Sequence, residues 1–451
     1  MTAGELRASF GLAGIYGLRM LGMFIILPIF SLYAEQLPGG SDHTLIGLAL
    51  GAYGLTQAIL QIPFGTLSDH WGRKRTIYLG LVIFAAGSFI AAIAQDIYMV
   101  IVGRVIQGSG AISAAVIALA ADLTRDQQRT KAMAIIGITI GATFALSMIA
   151  GPILNQWIGV PGVFAMTGVL ALSAIAVVRW VIPDVSRAAA KVENTDDTRL
   201  VALLRHPDLK RLNYGIFALH AGLMALFVVV PFQLRGAGLA AASHWQVYLP
   251  VMVGSIILMI LPLMWAERGG HQKAAFVASV ALLLATQLAL VLFATTITGI
   301  AVCLILYFTG FNFLEASLPS LISRAAPPGA KGSAVGVYSS IQYVGTFAGA
   351  AAGGIVSQHF GAGWVFGFAA ALTGIWLLLA AGMRGPLVMG TRTYPLPPMD
   401  ARRADGLSRR LAGVVGVREA LVQAADGVAH LKVDNAKFDE QSVLELIAGE
   451  T

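Results

Sequence analysis

The stretch Gly65–Arg75, GTLSDHWGRKR, lies between two apolar segments that are each long enough to cross a lipid bilayer. Residues 45–67 and 76–94 approach the roughly 20 apolar residues that a membrane-spanning helix needs. The loop between them ends in three consecutive cations, residues 73–75. Short loops with an excess of Lys and Arg stay in the cytoplasm. We therefore expect residues 65–75 to form a cytoplasmic loop of a polytopic membrane protein. These residues are called the signature loop.

The composition of the whole chain agrees with a membrane protein. Of 451 residues, 57% are hydrophobic and only 12% are charged, whereas a soluble domain carries about 25% charged residues. The net charge of +7 resides mostly in short loops, where it favours contact with lipid headgroups over nucleic acid. The single cysteine, Cys303, lies in an apolar segment and excludes an intramolecular disulfide.

The sequence shows no motif of an enzyme or a cofactor site. It contains no G-x-x-x-x-G-K-[ST] motif for ATP, no C-x-x-C and no His and Cys cluster for a metal. We therefore expect a protein that is not an enzyme, that binds no cofactor or metal, and that draws any energy it uses from a gradient.

Twelve apolar segments predict twelve membrane spans, numbered 1 to 12 below. They lie near residues 10–34, 45–68, 76–94, 98–121, 132–155, 162–182, 212–234, 244–266, 274–295, 298–322, 333–357 and 364–383. With a cytoplasmic N-terminus, the cytoplasmic loops between spans hold sixteen cations: Arg73, Lys74, Arg75, Arg125, Arg129, Lys131, Arg187, Lys191, Arg199, Arg205, Lys210, Arg211, Arg268, Lys273, Arg324 and Lys331. The opposite loops hold Arg235 alone. This asymmetry predicts that both termini are cytoplasmic.

The chain divides into two halves and an appended domain. The polar residues 183–211 form a linker at the midpoint, between an N-terminal half of residues 1–182 and a C-terminal half of residues 212–384. A weak repeat relates the halves: a shift of 198 residues takes Asp69, Gly72, Arg73 and Arg75 to Glu267, Gly270, His271 and Lys273. Two parallel six-helix halves are the organisation of one large class of secondary transporters.

Residues 385–451 differ in character from the rest. Charged and alternating residues predict a helix over 401–414, strands over 418–424 and 428–433 with a turn between them, and a helix over 439–448. We expect a small cytoplasmic α+β domain. Because the predicted helices and strands cover only about fifty residues, from residue 401 onward, they bury little apolar area, and we expect contact with the transporter or with a second copy to contribute to the stability of the domain.

The signature loop resembles the G-x-L-a-D-r-x-G-r-k motif of the major facilitator superfamily. Residues 104–110, RVIQGSG, resemble the R-x-x-Q-G-x-G element in span 4 of that family, and Gly151 with Pro152 resembles a span 5 element of its twelve-helix drug/proton antiporter branch. Ser31 and Asn155-Gln156 depart from the branch pattern. The resemblance implies an all-helical transporter of twelve spans, with Gly151 and Pro152 in helix packing.

The chain is also similar to a bacterial member of the family that carries a small C-terminal domain. That similarity rests on residues 18–23, LRMLGM, and 311–323, FNFLEASLPSLIS. It implies a ferredoxin-like βαββαβ domain with a first strand near residues 392–396. Only three residues follow the last predicted helix, which leaves almost no chain for the fourth strand.

The residues of the signature loop predict a conformational switch. Gly65 would let span 2 approach a neighbour closely, and Asp69 would lie at the positive amino end of span 11 and hold the outward-open state. With Gly72 completing the turn, Arg73 would pair with Asp122, so that inward opening separates charges that join spans 2, 4 and 11. The alternative is that the cations only set the topology.

Four ionisable side chains fall inside predicted spans: Arg19, Arg104, His220 and Glu315. An isolated charge at mid-bilayer costs at least about 2.5 to 3.5 kcal/mol, so such groups face a cavity or a partner. Glu315 is the best candidate for a proton carrier, unless it forms a permanent ion pair. The other three complete a predicted proton-coupling set, with packing open for Arg104, anion binding open for Arg19, and simple hydrogen bonding open for His220.

Polar residues at helical spacing predict the substrate site. The residues are Tyr53, Gln57 and Gln61 on span 2, Asn312 on span 10, and Tyr338 and Gln342 on span 11. Because amides facing lipid would remain unsatisfied, these stripes line either a central cavity or a helix interface. With phenylalanines nearby, a cavity there would suit amphiphilic organic molecules.

The sequence therefore predicts a transporter that moves a small organic, drug-like solute by alternating access, with efflux driven by protons. Uptake or uniport remains the alternative within transport. A membrane sensor that signals through residues 385–451 is the alternative from another class, and this domain is also a candidate for regulatory contact or self-association.

Overall fold

A computed structural model describes residues 1–183, 203, 206–267, 271–327, 331–383, 389–397, 399–423, 427–434 and 438–448. Most of the predicted linker, Gly270 of the repeat and the region of a fourth C-terminal strand lie outside the described residues.

The first half contains six spans. Span 1 consists of two helices, Ala3–Phe24 and Leu27–Ala34, and span 4 consists of Ile97–Ser109 and Ser113–Asp122. Spans 2 and 3 are His43–Trp71 and Arg73–Ala92. Spans 5 and 6 are two helices within Asp126–Trp180, separated by a kink at Gly159 where the backbone is not helical. The φ of 65° at Gly159 lies in the left-handed region, so glycine permits this bend.

The second half contains the remaining spans. Spans 7 to 12 are Pro207–Gly236, Trp245–Glu267, Gln272–Phe293, Ile297–Ala325, Lys331–Phe360 and Ala362–Ala381. By length and hydropathy alone, 10 segments of the described chain qualify as membrane-spanning, with spans 5 and 6 merged into one. Span 11 falls below that limit because glycines and polar residues interrupt it. The described residues thus contain the twelve predicted spans, which extend up to about two turns beyond the predicted apolar segments.

The C-terminal domain is a three-stranded antiparallel sheet with two helices. The strands are β1 (Met389–Pro395), β2 (Val417–Gln423) and β3 (Val428–Asp434), in the order β1-β3-β2. Helices Ala401–Ala412 and Glu440–Ala448 bury apolar side chains against the sheet, including Leu407, Leu411 and Val443. The predicted α+β character is correct, and the strand order matches three strands of a ferredoxin-like sheet. Strand β1 begins at residue 389, three residues earlier than predicted.

Candidate functional site

The two ends of the helical bundle differ, and we name them by the signature loop. The signature side holds residues 65–75, and the far side holds the turn between spans 1 and 2. On the far side, hydrogen bonds join the two halves of the molecule. Arg235 donates to both carboxylate oxygens of Glu35 at 2.6 and 3.1 Å, and the His43 backbone N–H donates to Gln358 at 2.7 Å.

Glycines bring spans 2 and 11 together on the far side. A Cβ at Gly47 would lie 2.2 Å from the carbonyl oxygen of Ala350, and one at Gly51 would lie 3.0 Å from that of Phe347. The last close glycine contact between these spans is at Gly54, whose Cβ would lie 3.0 Å from the Tyr343 carbonyl oxygen. This end of the molecule is therefore closed by direct contact between helix backbones.

An aromatic cluster lies below this closed end. The ring of Phe144 in span 5 contacts that of Phe24 in span 1, with centroids 5.0 Å apart. It also contacts the rings of Phe308 and Phe311 in span 10, at 5.7 and 5.8 Å. All four rings are buried, so they join the two halves near the centre of the bundle.

Spans 2 and 11 separate toward the signature side. Gly65 lies eleven residues after Gly54, or about 16 Å along the helix, and its nearest neighbour is Ala114 of its own half. A Cβ at Gly336, near the start of span 11, would meet nothing within 4 Å. The structure is therefore closed on the far side and open on the signature side. The close approach predicted at Gly65 is wrong for this state, because the 3.5 Å separation there is ordinary van der Waals contact.

The signature loop connects three spans of the first half. Arg73 donates to Asp122 at 3.1 Å and to Ser68 at 2.7 Å, and it also forms an ion pair with Asp69. Gly72 ends span 2 and begins span 3 with a φ of 107°, a conformation that a residue with a Cβ rarely adopts. The loop thus fixes the ends of spans 2, 3 and 4 relative to one another.

Two details of the predicted switch differ from this structure. Asp69 pairs with Arg73, and within the described part of span 11 it has no recorded ion-pair partner. The Arg73–Asp122 pair is intact although the signature side is open. Opening therefore does not require this pair to separate, because both partners belong to one half and move together.

The second half contains a cluster of three polar side chains from three spans. The Gln342 amide nitrogen lies 2.8 Å from His220 Nε2 and 3.5 Å from Glu315 Oε1. His220 Nε2 is 3.8 Å from Glu315 Oε2, which has no hydrogen-bond partner. The Glu315 side chain is 32% exposed, whereas that of His220 is only 2% exposed. Spans 7, 10 and 11 thus hold one partly exposed acid next to a buried histidine.

The first half contains two buried arginines. Arg19 of span 1 donates through Nη1 to Ser113, while its Nε and Nη2 have no partner. Arg104 of span 4 donates to Gln107, and its guanidinium lies 4.8 Å from the centre of the Tyr53 ring. Neither arginine forms an ion pair with a carboxylate among the described residues.

The predicted substrate residues fall into two groups. Gln57 donates to the carbonyl oxygen of Gly108 at 2.6 Å, where the helix of span 4 is interrupted. Gln57 therefore lies at the interface of spans 2 and 4, because the interrupted helix leaves a carbonyl to be satisfied. Of the two predicted alternatives, a cavity or a helix interface, Gln57 occupies the interface in this state. Gln61 and Tyr53 are also buried within the first half.

The residues predicted on spans 10 and 11 lie around Glu315. Gln342 contacts Glu315 directly, and Tyr338 is buried close to it with its hydroxyl unpartnered. Asn312 donates to Ser255 at 3.3 Å and so joins spans 10 and 8. Glu315, His220, Gln342 and Tyr338 therefore lie together, whereas Asn312 lies at the interface of spans 10 and 8.

Gly151 lies at a tight contact between spans 5 and 1. A Cβ at this position would lie 2.5 Å from the carbonyl oxygen of Ile25 and 3.1 Å from Pro28. Pro152 follows within the same helical segment. This geometry accounts for a glycine at position 151, because a side chain would force the two backbones apart.

Sequence reasoning missed several residues of this region. Ser113 contacts Arg19, Tyr343 follows Gln342 on span 11, and Phe144 joins the halves. Tyr343 was missed because it lies outside the Tyr338–Gln342 stripe, and Phe144 was missed because it is one of many apolar residues in its span. Glu35 had a usable signal, since Arg235 is the only cation that the predicted topology places on the far side.

The fold and these features define a polytopic membrane transporter with two six-span halves around a central polar site. The chain belongs to the Major Facilitator Superfamily, whose family model matches residues 12–350. As predicted, it is a transporter and not an enzyme.

Named relatives agree with this assignment. The chain is 43% identical over 443 residues to the inner membrane transport protein YajR of Escherichia coli strain K12, covering 96% of each chain. It is 28% identical over 358 residues to the multidrug resistance protein MdtH of Aeromonas hydrophila, covering 75% of this chain and 85% of MdtH. The fold matches the crystal structure of a bacterial homologue of the human lysosomal transporter Spinster, with TM-score 0.69, 12% identity, and coverage of 84% and 97%.

Proposed function

We propose that this protein exports a small organic solute across the cytoplasmic membrane of a bacterium by alternating access, driven by inward proton flow. In this orientation the signature side is cytoplasmic, both termini are cytoplasmic, and the described state is inward-open. The proton gradient is the energy source, and no cofactor or metal takes part. A relative with an inner-membrane name and one with a multidrug-resistance name support the location and the direction.

One observation carries the coupling proposal: Glu315 is a partly exposed acid within a span and has no cation as a permanent partner in the described structure. Its Oε2 is buried without a hydrogen-bond partner, and Nε2 of the buried His220 lies 3.8 Å away. An uncompensated carboxylate inside a membrane costs about 2.5 to 3.5 kcal/mol, and the binding of one proton removes that cost. The alternative of a permanent ion pair with a buried arginine finds no support, because the two arginines in the core have other contacts.

Span 11 connects this acid to the closed end. Gln342 contacts both Glu315 and His220, and residues 343–358 of the same helix form the contacts that close the far side. A change of charge at Glu315 alters the hydrogen bonding of Gln342 and therefore the position of span 11 relative to span 7. We propose that this step couples proton binding to the exchange of open and closed ends.

The test uses purified full-length protein in proteoliposomes with an imposed pH gradient. We expect Glu315→Gln to abolish proton-driven accumulation of solute while exchange of labelled for unlabelled solute continues. Glu445→Gln is the matched control, because it removes the same charge from an exposed position on the last helix. Uphill transport by Glu315→Gln at the wild-type rate would refute the coupling role.

The same vesicles separate efflux from its alternatives. Efflux by antiport requires solute to accumulate on the side with the higher proton concentration, whereas symport moves it the other way and a uniporter ignores the gradient. Arg104→Gln is included because Arg104 belongs to the proposed coupling set. We expect it to alter the pH dependence of transport while exchange at fixed pH continues.

A further inference from the structure

The buried guanidinium of Arg19 presents two hydrogen-bond donors that nothing in the described structure satisfies. Its side chain is only 2% exposed. Nη1 donates to Ser113, whereas Nε and Nη2 have no acceptor. These two nitrogens form one edge of the planar guanidinium, with parallel N–H bonds. That edge is the one that binds both oxygens of a carboxylate or a similar oxyanion.

Further donors surround the same group. The hydroxyls of Tyr53 and Tyr343 are buried next to Arg19, and neither forms a hydrogen bond of regular geometry. Tyr343 belongs to span 11, whereas Arg19, Tyr53 and Ser113 belong to the first half. The unsatisfied donors therefore come from both halves of the transporter and converge where the halves meet.

The positive charge around Arg19 also favours a bound anion. Arg104 lies over the Tyr53 ring, so the core of the first half holds two cations, and neither forms an ion pair with a carboxylate in the described part of the chain. An unpaired buried charge is strongly unfavourable, and buried donors without acceptors add to the cost. A bound anion with several acceptor oxygens would remove both penalties.

We propose that the transported solute is an organic anion whose carboxylate, or an equivalent oxyanion, binds the Nε and Nη2 edge of Arg19 between Tyr53 and Tyr343. The apolar part of the solute then packs against the aromatic cluster of Phe24, Phe144 and Phe311. This proposal deepens the proposed function and rests on it for the assignment of the region between the two halves as the transport site. Arg19 is thereby a solute-binding residue, and Arg104 is a positioning residue that acts through Tyr53.

The test measures equilibrium binding and needs no proton gradient. Full-length protein in lipid nanodiscs is titrated with benzoate, phenylphosphonate and benzenesulfonate, and with benzamide as the neutral match to benzoate. We expect at least one oxyanion to raise the melting temperature and benzamide to leave it unchanged. Failure of all three oxyanions, or equal stabilisation by benzamide, would overturn the proposal.

Variants of Arg19 identify the site. Arg19→Gln should weaken binding of the stabilising oxyanion by at least about tenfold, since the loss of one hydrogen bond to a charged group lowers an affinity by about that factor. Arg19→Lys keeps the charge but loses the two-pronged edge, so it should bind more weakly than wild type and more tightly than Arg19→Gln. Arg7→Gln, an exposed arginine at the start of span 1, is the matched control and should bind normally.

Two further outcomes complete the test. If Arg19→Gln does not fold, Tyr343→Phe removes one proposed donor without a change of charge and should also weaken oxyanion binding. Undiminished binding by both Arg19→Lys and Tyr343→Phe contradicts the site. A negative binding result would contradict the anion site but not the role of Glu315 in proton-driven transport. Uphill transport by Glu315→Gln would contradict the coupling role but not the anion site, so the two proposals are tested independently.

Discussion

The far side and the signature side of this transporter are held by different kinds of contact. On the far side, Gly47 and Gly51 of span 2 lie against the backbone of span 11, which belongs to the other half. On the signature side, Arg73 joins Asp69, Ser68 and Asp122, all within one half. The far side is closed by close packing of helix backbones from the two halves, and the signature side is stabilised by ion pairs and hydrogen bonds within one half.

This difference has a physical consequence for how each end moves. Contact between helix backbones depends steeply on distance, so the far side is either closed or separated. The charge cluster belongs to one rigid half and survives the opening of the signature side. The signature loop therefore holds the ends of spans 2, 3 and 4 together within the N-terminal half, and we expect the exchange between states to depend on the contact between spans 2 and 11.

The largest expected effect comes from a side chain placed in the far-side contact. Gly47→Leu would put a Cβ 2.2 Å from the Ala350 carbonyl oxygen and 2.9 Å from the Gly354 Cα, so the backbones must separate. Overpacking of this kind costs about 1 to 3 kcal/mol, which shifts the population away from the described state by about 5- to 150-fold. Spin labels at positions 41 and 360, in a Cys303→Ser background, would report the longer distance.

The control for this variant is Gly14→Leu in span 1. A Cβ at Gly14 meets nothing within 4 Å, so the distance distribution between the labels should match that of the wild type. If Gly47→Leu also left the distribution unchanged, the closed far side would not depend on the fit of these glycines.

The fold was predictable from the sequence because bilayer physics leaves few choices. An apolar segment of sufficient length must be helical when it crosses a membrane, and the twelve segments, including the polar span 11, were found on that basis. The bends at Gly110 and Gly159 were not, because glycine in a membrane helix serves close packing as often as a change of direction.

The site was predictable only in part. Glu315 and His220 stand out in apolar segments, and helical spacing pointed to Gln342. The partner of Gln57 was not predictable, since a freed carbonyl at Gly108 exists only after the helix of span 4 is interrupted. The state of the molecule was not predictable either, because one sequence specifies every conformation that the chain can adopt.

A smaller effect is expected on the signature side. Arg73→Ala leaves the carboxylates of Asp122 and Asp69 without their guanidinium, and the Asp122 side chain is only 18% exposed. We expect a loss of about 1 kcal/mol in the stability of the first half, after allowance for solvent screening. The melting temperature should fall, while the far-side distance between labels at positions 41 and 360 should stay as in wild type.

Arg75→Ala is the matched control for the charge cluster, because Arg75 is exposed in the same loop. It should leave the melting temperature nearly unchanged. Equal destabilisation by Arg73→Ala and Arg75→Ala would show that the loop contributes to stability only through its net charge. A changed far-side distance in Arg73→Ala would show that the contacts of the signature loop influence the far side.

The smallest effect is expected for the ion pair between Glu35 and Arg235, which joins the two halves on the far side. Hydrogen bonds from Arg235 hold the pKa of the Glu35 carboxyl below its usual range, so the pair stabilises the closed far side while Glu35 is ionised. A carboxyl with a lowered pKa gives its full contribution above the unpaired pKa and loses it as the pH falls through the lowered value. Because both side chains are partly exposed, Glu35→Gln should cost only about 0.2 to 1 kcal/mol. The labels at positions 41 and 360 should therefore show slightly more far-side opening in wild type as the pH falls from 6 to 3, and Glu35→Gln should show that opening at every pH in this range. A pH response that persists unchanged in Glu35→Gln would assign the titration to another group and leave the glycine contacts as the main cause of closure.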